Sequence, residues 1–435
     1  MRLAFTITSY GDVIAVKRTR QSYSKHVGAR PSGEGLDPTL SDSPSPKALR
    51  RAHGILISEE QIQDRWIWQH SDWPAFTWQW DQLVGPLGMA NQALGRLQMA
   101  SRVLSPKALQ EVLVEILTLE GVSTSAIEGE KINPASMAAS VARHLGLLVD
   151  GTAPIDRQAE GVSAVLSDAM QHPNTPLTLD RLCRWHRALF PESRPGVAVG
   201  MLRPGQVHVE TRVSEEESLV HFMAVPRAQL EPELDRFLEW FNSGSSMDGL
   251  VRAGMAHLWF VTIHPFDDGN GRITRALTDL ALTQAHNTNP IVRMSTRILQ
   301  VRLDYYAALE SAQAFRHDLD ITPWLHWFLT QVAEACTQPE QIIRRSLAKG
   351  TFWARNNDKQ INDRQRKILN RLLDAGPGGF EGGMTTRKYV SMADCSPITA
   401  SRDLADLAAS GCLIAAGAGR STHYVIPWDT LLAPK

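Results

Sequence analysis

One stretch limits the fold more than any other: Leu250 to Ile263, apolar almost throughout. It is too short to cross a bilayer, so it reads as a helix buried in a protein core. It runs straight into His264-Pro265-Phe266-Asp267-Asp268-Gly269-Asn270-Gly271-Arg272. From Ile273 to Ala285 the spacing is helical again. The polar loop therefore joins two helices, and its end is the N-terminus of the second.

A helix N-terminus carries unpaired N–H groups and a partial positive charge, so it attracts anions. Gly269 and Gly271 are free to take positive φ, which lets successive N–H groups converge on a ligand. Asn270 can donate its amide to an oxygen. Arg272 and Arg275, three residues apart, share one face of the helix end. Cations there oppose the macrodipole and make sense if a polyanion normally sits beside them. Asp268 is an anion out of place unless a metal ion reconciles it with phosphate. His264 titrates near neutrality and can accept a proton. Together these residues describe a site for a nucleotide's phosphates with Mg²⁺ and a base. A plain Asp-Gly-Asn-Gly turn leaves the histidine and both arginines unexplained. A calcium loop aligned on Gly271 puts Phe266 and Leu277 at ligand positions, where neither can bind a cation. A Walker loop needs Gly-Lys-Ser/Thr, which is absent.

The stretch resembles the signature of the Fic family (filamentation induced by cAMP), His-x-Phe-x-Asp/Glu-Gly-Asn-Gly-Arg-x-x-Arg, at every specified position. The resemblance implies transfer of AMP from ATP to a protein hydroxyl. By position, His264 is the base that deprotonates the attacking Ser, Thr or Tyr, and Asp268 holds Mg²⁺. Gly269, Asn270 and Gly271 cradle the α- and β-phosphates. Arg272 and Arg275 address the β- and γ-phosphates, and Phe266 anchors the loop in the core.

The chain has 435 residues, enough for two or three domains. Its net charge of −1 gives no overall signal for nucleic acid. The four cysteines, Cys183, Cys336, Cys395 and Cys412, form no Cys-x-x-Cys pair. They suit a reducing, cytoplasmic setting and argue against zinc. No apolar run approaches transmembrane length, so no membrane partner is expected.

Residues 1–60 read as an extended or disordered segment, with a short strand pair between Leu3 and Val16. Residues 61–150 read as an N-terminal helical region. Its opening is rich in aromatics, with Trp66, Trp68, Trp73, Trp78 and Trp80, and reads as an aromatic clasp. A similar Trp-rich opening precedes the core in one bacterial subgroup of the Fic family. The helices there end in Thr124-Ser125-Ala126-Ile127-Glu128-Gly129. By itself this is a helix stopped by glycine. It also resembles the family's inhibitory motif, Ser/Thr-x-x-x-Glu-Gly/Asn, which implies that Glu128 pairs with Arg275 in place of the γ-phosphate. Residues 151–345 read as the Fic core. In it Gly200 to Val213 and Leu219 to Val225 form a hairpin, which family resemblance identifies as a flap that holds the target by strand addition. The lone His186 reads as a satisfied core group. The helix Leu299 to Phe315 carries Tyr305, which the resemblance sets on the wall of the adenine pocket. Thr351 to Asp358 reads as a linker. Residues 360–435 read as a winged helix-turn-helix, with Thr399, Ser401 and Arg402 on the recognition helix and Arg420 at the wing tip.

The expected fold class is mainly α: a Fic-type helical core with a small β-hairpin flap, followed by the winged helix. The expected activity is protein adenylyl transfer from ATP with Mg²⁺, restrained by Glu128, on an unidentified target or on the chain itself. Three alternatives stay open on the sequence. One is removal of AMP at the same site, another is a different donor nucleotide, and the third is a DNA-binding regulator whose core senses nucleotide. The resemblance also implies a homodimer.

Overall fold

The computed structural model describes residues 15–18, 65–147, 156–192, 196–212, 218–244, 247–286 and 291–432. They divide into two compact units, Met1–Leu94 with Val114–Ala335, and Gly95–Leu113 with Cys336–Lys435.

Breakers and caps set the helix limits. Ser105-Pro106 separates α1 (Trp80–Arg102) from α2 (Pro106–Ile127), and proline fits the first turn of a helix, where its missing N–H is not needed. Gly129, with φ of 79°, ends α2. α3 (Pro134–His144) opens on Asn133, whose side chain accepts from the N–H groups of Ala135 and Ser136. α4 (Arg157–Gln171) and α5 (Leu179–Leu189) open on Asp156 and Thr178 in the same way.

The expected hairpin is present but carries a third strand. β1 (Ala15–Arg18), β2 (Val207–Arg212) and β3 (Ser218–Met223) form an antiparallel sheet in that order. Ala15 lies opposite Glu210 and Arg18 opposite Val207. The β2–β3 register runs from His208 opposite Met223 to Arg212 opposite Ser218, with an irregularity between Val209 and Glu210. Of the strand pair expected between Leu3 and Val16, residues 3–14 lie outside the described residues.

The tryptophan-rich opening is a clasp. Trp66 meets Phe222 of β3 edge-on at 5.6 Å, and the Trp68 indole donates to the Met223 carbonyl at 2.8 Å. Trp73 and Phe76 pack edge-on against Trp259. The clasp thus ties β3 to the core. α6 (Leu230–Asn242) leads to α7 (Gly249–Ile263), which is buried nearly all round. α7 lies along α8 (Asn270–His286). Around this pair pack α4, α6, α9 (Met294–Gln300), α10 (Arg302–Gln313) and α11 (Thr322–Ala335). The expected helix Leu299 to Phe315 is therefore two helices meeting at Val301.

In the second unit, α12 (Thr337–Arg355) runs on through Thr351, where a linker was expected, so only the end of that polar stretch leaves the helix. α13 (Asp363–Ala375), α14 (Thr386–Ala393) and α15 (Pro397–Ala409) follow. Then come β4 (Ile414–Ala416), β5 (His423–Val425) and the short α16 (Trp428–Leu432). The core here is Phe352, Ile368, Leu372, Tyr389, Leu404 and Leu407. Asp403 is turned inward, accepting from Tyr389 Oη at 2.8 Å and Arg364 Nε at 3.1 Å. The Arg420 side chain lies outside the described residues.

Candidate active site

The site forms where α7 ends and α8 begins. The end of α7 is abrupt because His264 takes a left-handed conformation, φ 54° and ψ 60°. That region is unfavourable for a residue with a Cβ, so its neighbours must hold it. The His264 N–H returns to the Phe260 carbonyl at 3.1 Å. The His264 carbonyl accepts from Arg203 Nε at 2.9 Å.

Hydrogen bonding fixes the imidazole tautomer. His264 Nδ1 lies 3.1 Å from the Val261 carbonyl, which can only accept. Nδ1 therefore carries the hydrogen and Nε2 keeps its lone pair. Burial pushes the ring's pKa down to about 4, partly offset by the Val261 bond and by the charges of Glu128 and Asp268.

Arg203 was not anticipated from the sequence. It is fully buried and donates to the carbonyls of His264, Gly205 and Val225. Its own N–H reaches the Pro265 carbonyl at 3.0 Å. A single arginine thus clamps the turn around His264. Nothing in its local sequence marks it, since the His264 and Val225 carbonyls it binds are distant in the chain. His186 supports the loop from the other side. Its Nδ1 accepts from the Gly200 N–H at 2.8 Å, so Nε2 must carry the hydrogen it gives to the Asp268 carbonyl at 3.1 Å. Its ring stacks on Phe266 at 4.3 Å, and burial lowers its pKa to about 4. It is a satisfied core histidine, held in contact with the loop. Asp267 accepts from the Ala198 N–H at 2.9 Å.

Asn270 differs from expectation. Its Oδ1 accepts from the Phe266 N–H at 2.9 Å, and its Nδ2 donates to the Phe266 carbonyl at 2.8 Å. The amide closes the loop on itself, which leaves one Nδ2 hydrogen for a ligand. Gly271 also departs from expectation. Only Gly269 of the pair has positive φ, 77°; Gly271 is helical. A Cβ there would push against the Glu128 carboxylate and the Arg275 guanidinium, so a larger residue would disturb their pair. At Gly269 a Cβ would also meet the Phe190 ring.

Glu128 lies at the end of α2, and its Oε1 is 2.7 Å from Arg275 Nη2. Thr124, one turn earlier, binds the same guanidinium through its hydroxyl at 2.8 Å and its carbonyl at 3.0 Å. Burial alone would raise the Glu128 pKa, but Arg275, Arg272 and Arg302 outweigh it and hold the carboxyl below its usual range. Arg272 pairs with Glu130 at 2.6 Å and lies over the Phe190 ring. Asp268 accepts from the Gly269 N–H at 2.6 Å.

Tyr305 does not form an open pocket wall. It is 2% exposed, enclosed by Tyr306 and Trp327. Thr278 spends its hydroxyl hydrogen on Thr274, so His257 Nδ1 must donate to Thr278. His257 Nε2 then accepts from the Tyr305 hydroxyl at 2.9 Å. The tyrosine belongs to a closed core network.

With this geometry described, comparison with known proteins gives the class. Residues 176–282 match the model of the Fic/DOC family, and residues 66–147 match a domain of unknown function (DUF4172). The chain carries a Fic/DOC family domain. Among curated relatives, protein adenylyltransferase fic-1 of Caenorhabditis elegans is 26% identical over 212 residues, covering 47% of this chain and 38% of that protein. A uridine 5′-monophosphate transferase of Xanthomonas campestris is 27% identical over 179 residues, covering 35% of this chain and 32% of that protein. The chain thus spans well under half the length of these relatives. A crystal structure of a Fic family protein from Desulfovibrio desulfuricans aligns with a TM-score of 0.48 at 20% identity, covering 81% of this chain and 98% of that one.

Proposed function

We propose that the chain transfers AMP from ATP to a protein hydroxyl and that Glu128 restrains it. The observation that carries this reading is the His264 tautomer, with Nδ1 spent on Val261 and Nε2 a bare acceptor at the mouth of α8. With a pKa near 4 the ring is neutral at pH 7 and ready to act as a base. A target hydroxyl passes its proton to Nε2 as its oxygen attacks the α-phosphorus. The bond from that phosphorus to the bridging oxygen breaks, and pyrophosphate leaves. Backbone N–H groups in the first turn of α8 hold phosphate oxygens. Arg272 and Arg275 hold the outer phosphates once their carboxylate partners withdraw, and their charge stabilises the transition state.

The donor set fits magnesium. Among the described residues no group of three or more His, Cys, Asp or Glu forms a metal cage. Mg²⁺ needs none, because it takes one or two carboxylates and completes its shell with phosphates and water. Asp268 would hold it, and when bound the ion neutralises phosphate charge.

The chain's own residues 15–18 occupy the edge of the flap where a target strand would add; Ala15–Arg18 carries no hydroxyl itself, so self-modification would have to fall on another segment. Among the described residues no helix is long and apolar enough to cross a membrane. The four cysteines are free, which supports the cytoplasm as the place of action.

A second reading concerns α14 and α15 as a DNA-contacting pair. The Asp403 carboxylate faces inward, while Ser401 and Arg402 are exposed, as is the acidic Asp406. Salt-dependent binding of the full chain to duplex DNA, lost in Arg402→Ala, tests it.

Intact mass after incubation with ATP and Mg²⁺ tests the main reading. Glu128→Gly is expected to gain AMP faster than the parent protein, and His264→Ala to gain none while still binding ATP. Undiminished labelling of His264→Ala rejects the base. Competition by UTP, CTP and GTP identifies the donor, and release of AMP from a labelled target would point to the reverse reaction.

A further inference from the structure

We propose that Glu130 is a second restraint on the nucleotide pocket, acting on Arg272 as Glu128 acts on Arg275. The inference rests on the AMP-transfer reading of this site. Glu130 Oε2 lies 2.6 Å from Arg272 Nη1, and the arginine side chain is only 2% exposed. The Phe190 ring covers the guanidinium at 5.0 Å. Arg272 Nε is buried without a hydrogen-bond partner among the described residues. An enclosed guanidinium with a spare donor beside a helix N-terminus is arranged to bind an anion, and the Glu130 carboxylate supplies one in the resting state.

The local backbone explains why two carboxylates reach two arginines. Gly129 has φ of 79°. The Gly129 N–H returns to the Ala126 carbonyl at 3.0 Å and the Glu130 N–H to the Ser125 carbonyl at 2.9 Å. This turn folds back over the end of α2 and sends both carboxylates to the first turn of α8. Glu128 takes Arg275 and Glu130 takes Arg272. A nucleotide that uses both arginines must displace both carboxylates, and the two move with one turn. Removing one leaves the other holding the turn in place.

The two pairs obstruct different phosphates. By the family positions, Arg272 serves the β-phosphate and Arg275 the γ-phosphate. Glu130 therefore weakens binding of ADP and ATP alike, whereas Glu128 weakens ATP selectively.

Calorimetric titration of ATP and ADP, each with Mg²⁺, into the parent chain, Glu130→Gln, Glu128→Gly and the double variant tests this, with self-labelling measured beside it. Glu130→Gln is expected to tighten both nucleotides by about tenfold, the scale of one charge-assisted bond that is partly open to water. Glu128→Gly is expected to tighten ATP and leave ADP as in the parent. The double variant should label faster than either single one. Gly129→Ala provides a check that keeps both carboxylates. Space around Gly129 is open, so alanine meets only the unfavourable positive φ, and the loosened turn should raise affinity for both nucleotides. If Glu128→Gly gains ATP affinity while Glu130→Gln and Gly129→Ala match the parent for both ligands, the second restraint is overturned and the AMP-transfer reading stands. If none of the proteins binds either nucleotide, both fail together.

Discussion

Asn270 offers the sharpest division between a ligand-binding and a structural role. Its side chain is 2% exposed and makes two bonds, both to the backbone of Phe266. Asn270→Ala leaves a buried N–H and a buried carbonyl without partners. Each such group costs about 1–3 kcal/mol, so the expected loss of stability is about 2–6 kcal/mol in the protein without nucleotide. Urea unfolding followed by tryptophan fluorescence measures it. Ten of the twelve tryptophans, from Trp66 to Trp327, lie in the unit that holds the loop, and only Trp353 and Trp428 lie in the other. Asn270→Asp keeps the acceptor for the Phe266 N–H, but sets a carboxylate oxygen against the Phe266 carbonyl. It should therefore recover at most one of the two bonds. If Asn270→Ala unfolds as the parent does and loses only nucleotide affinity, the side chain serves the ligand and does not hold the loop.

Arg203→Met should slow self-labelling at saturating ATP by about 10- to 100-fold by releasing the turn around His264, with ATP affinity little changed, as expected when a positioned base shifts. Single-turnover labelling checks it, and an undiminished rate would show that the clamp is dispensable. Stability should also depend on pH. Burial lowers His186 and His264 to about 4 and His257 to about 3. In the unfolded chain these rings protonate near 6.5, so between roughly pH 6.5 and 4 the unfolded state binds more protons. Stability is then full above pH 6.5 and falls as pH drops through that window, with a limiting slope of about 4 kcal/mol per pH unit for three rings. Urea midpoints that stay level from pH 7 to 5 would contradict this assignment of neutral histidines.

Periodicity and punctuation made the helices legible. The apolar run of α7, the Ser105-Pro106 break and the Asn133 cap act within a few residues of themselves, so local sequence carries them. Where a polar stretch was read as a linker at Thr351, helix packing prevailed over composition and α12 continued. The β1 strand could not be foreseen as a partner of β2, because strand pairing across the chain leaves no local mark.

At the site, the amino-acid order alone established which chemical groups are present: an imidazole, an acidic loop, glycines at a helix start and two arginines one turn apart. It also set Glu128 one helical turn beyond Thr124, at the end of a helix. Tertiary structure decided how each group is used. It spent the Asn270 amide on Phe266, enclosed Tyr305 in the core, brought Arg203 and His186 to the loop, and added Glu130 to Arg272. The physical reason is that a side chain's donors and acceptors are committed by whatever lies within about 3 Å of them, and in a folded chain those neighbours are mostly distant in sequence.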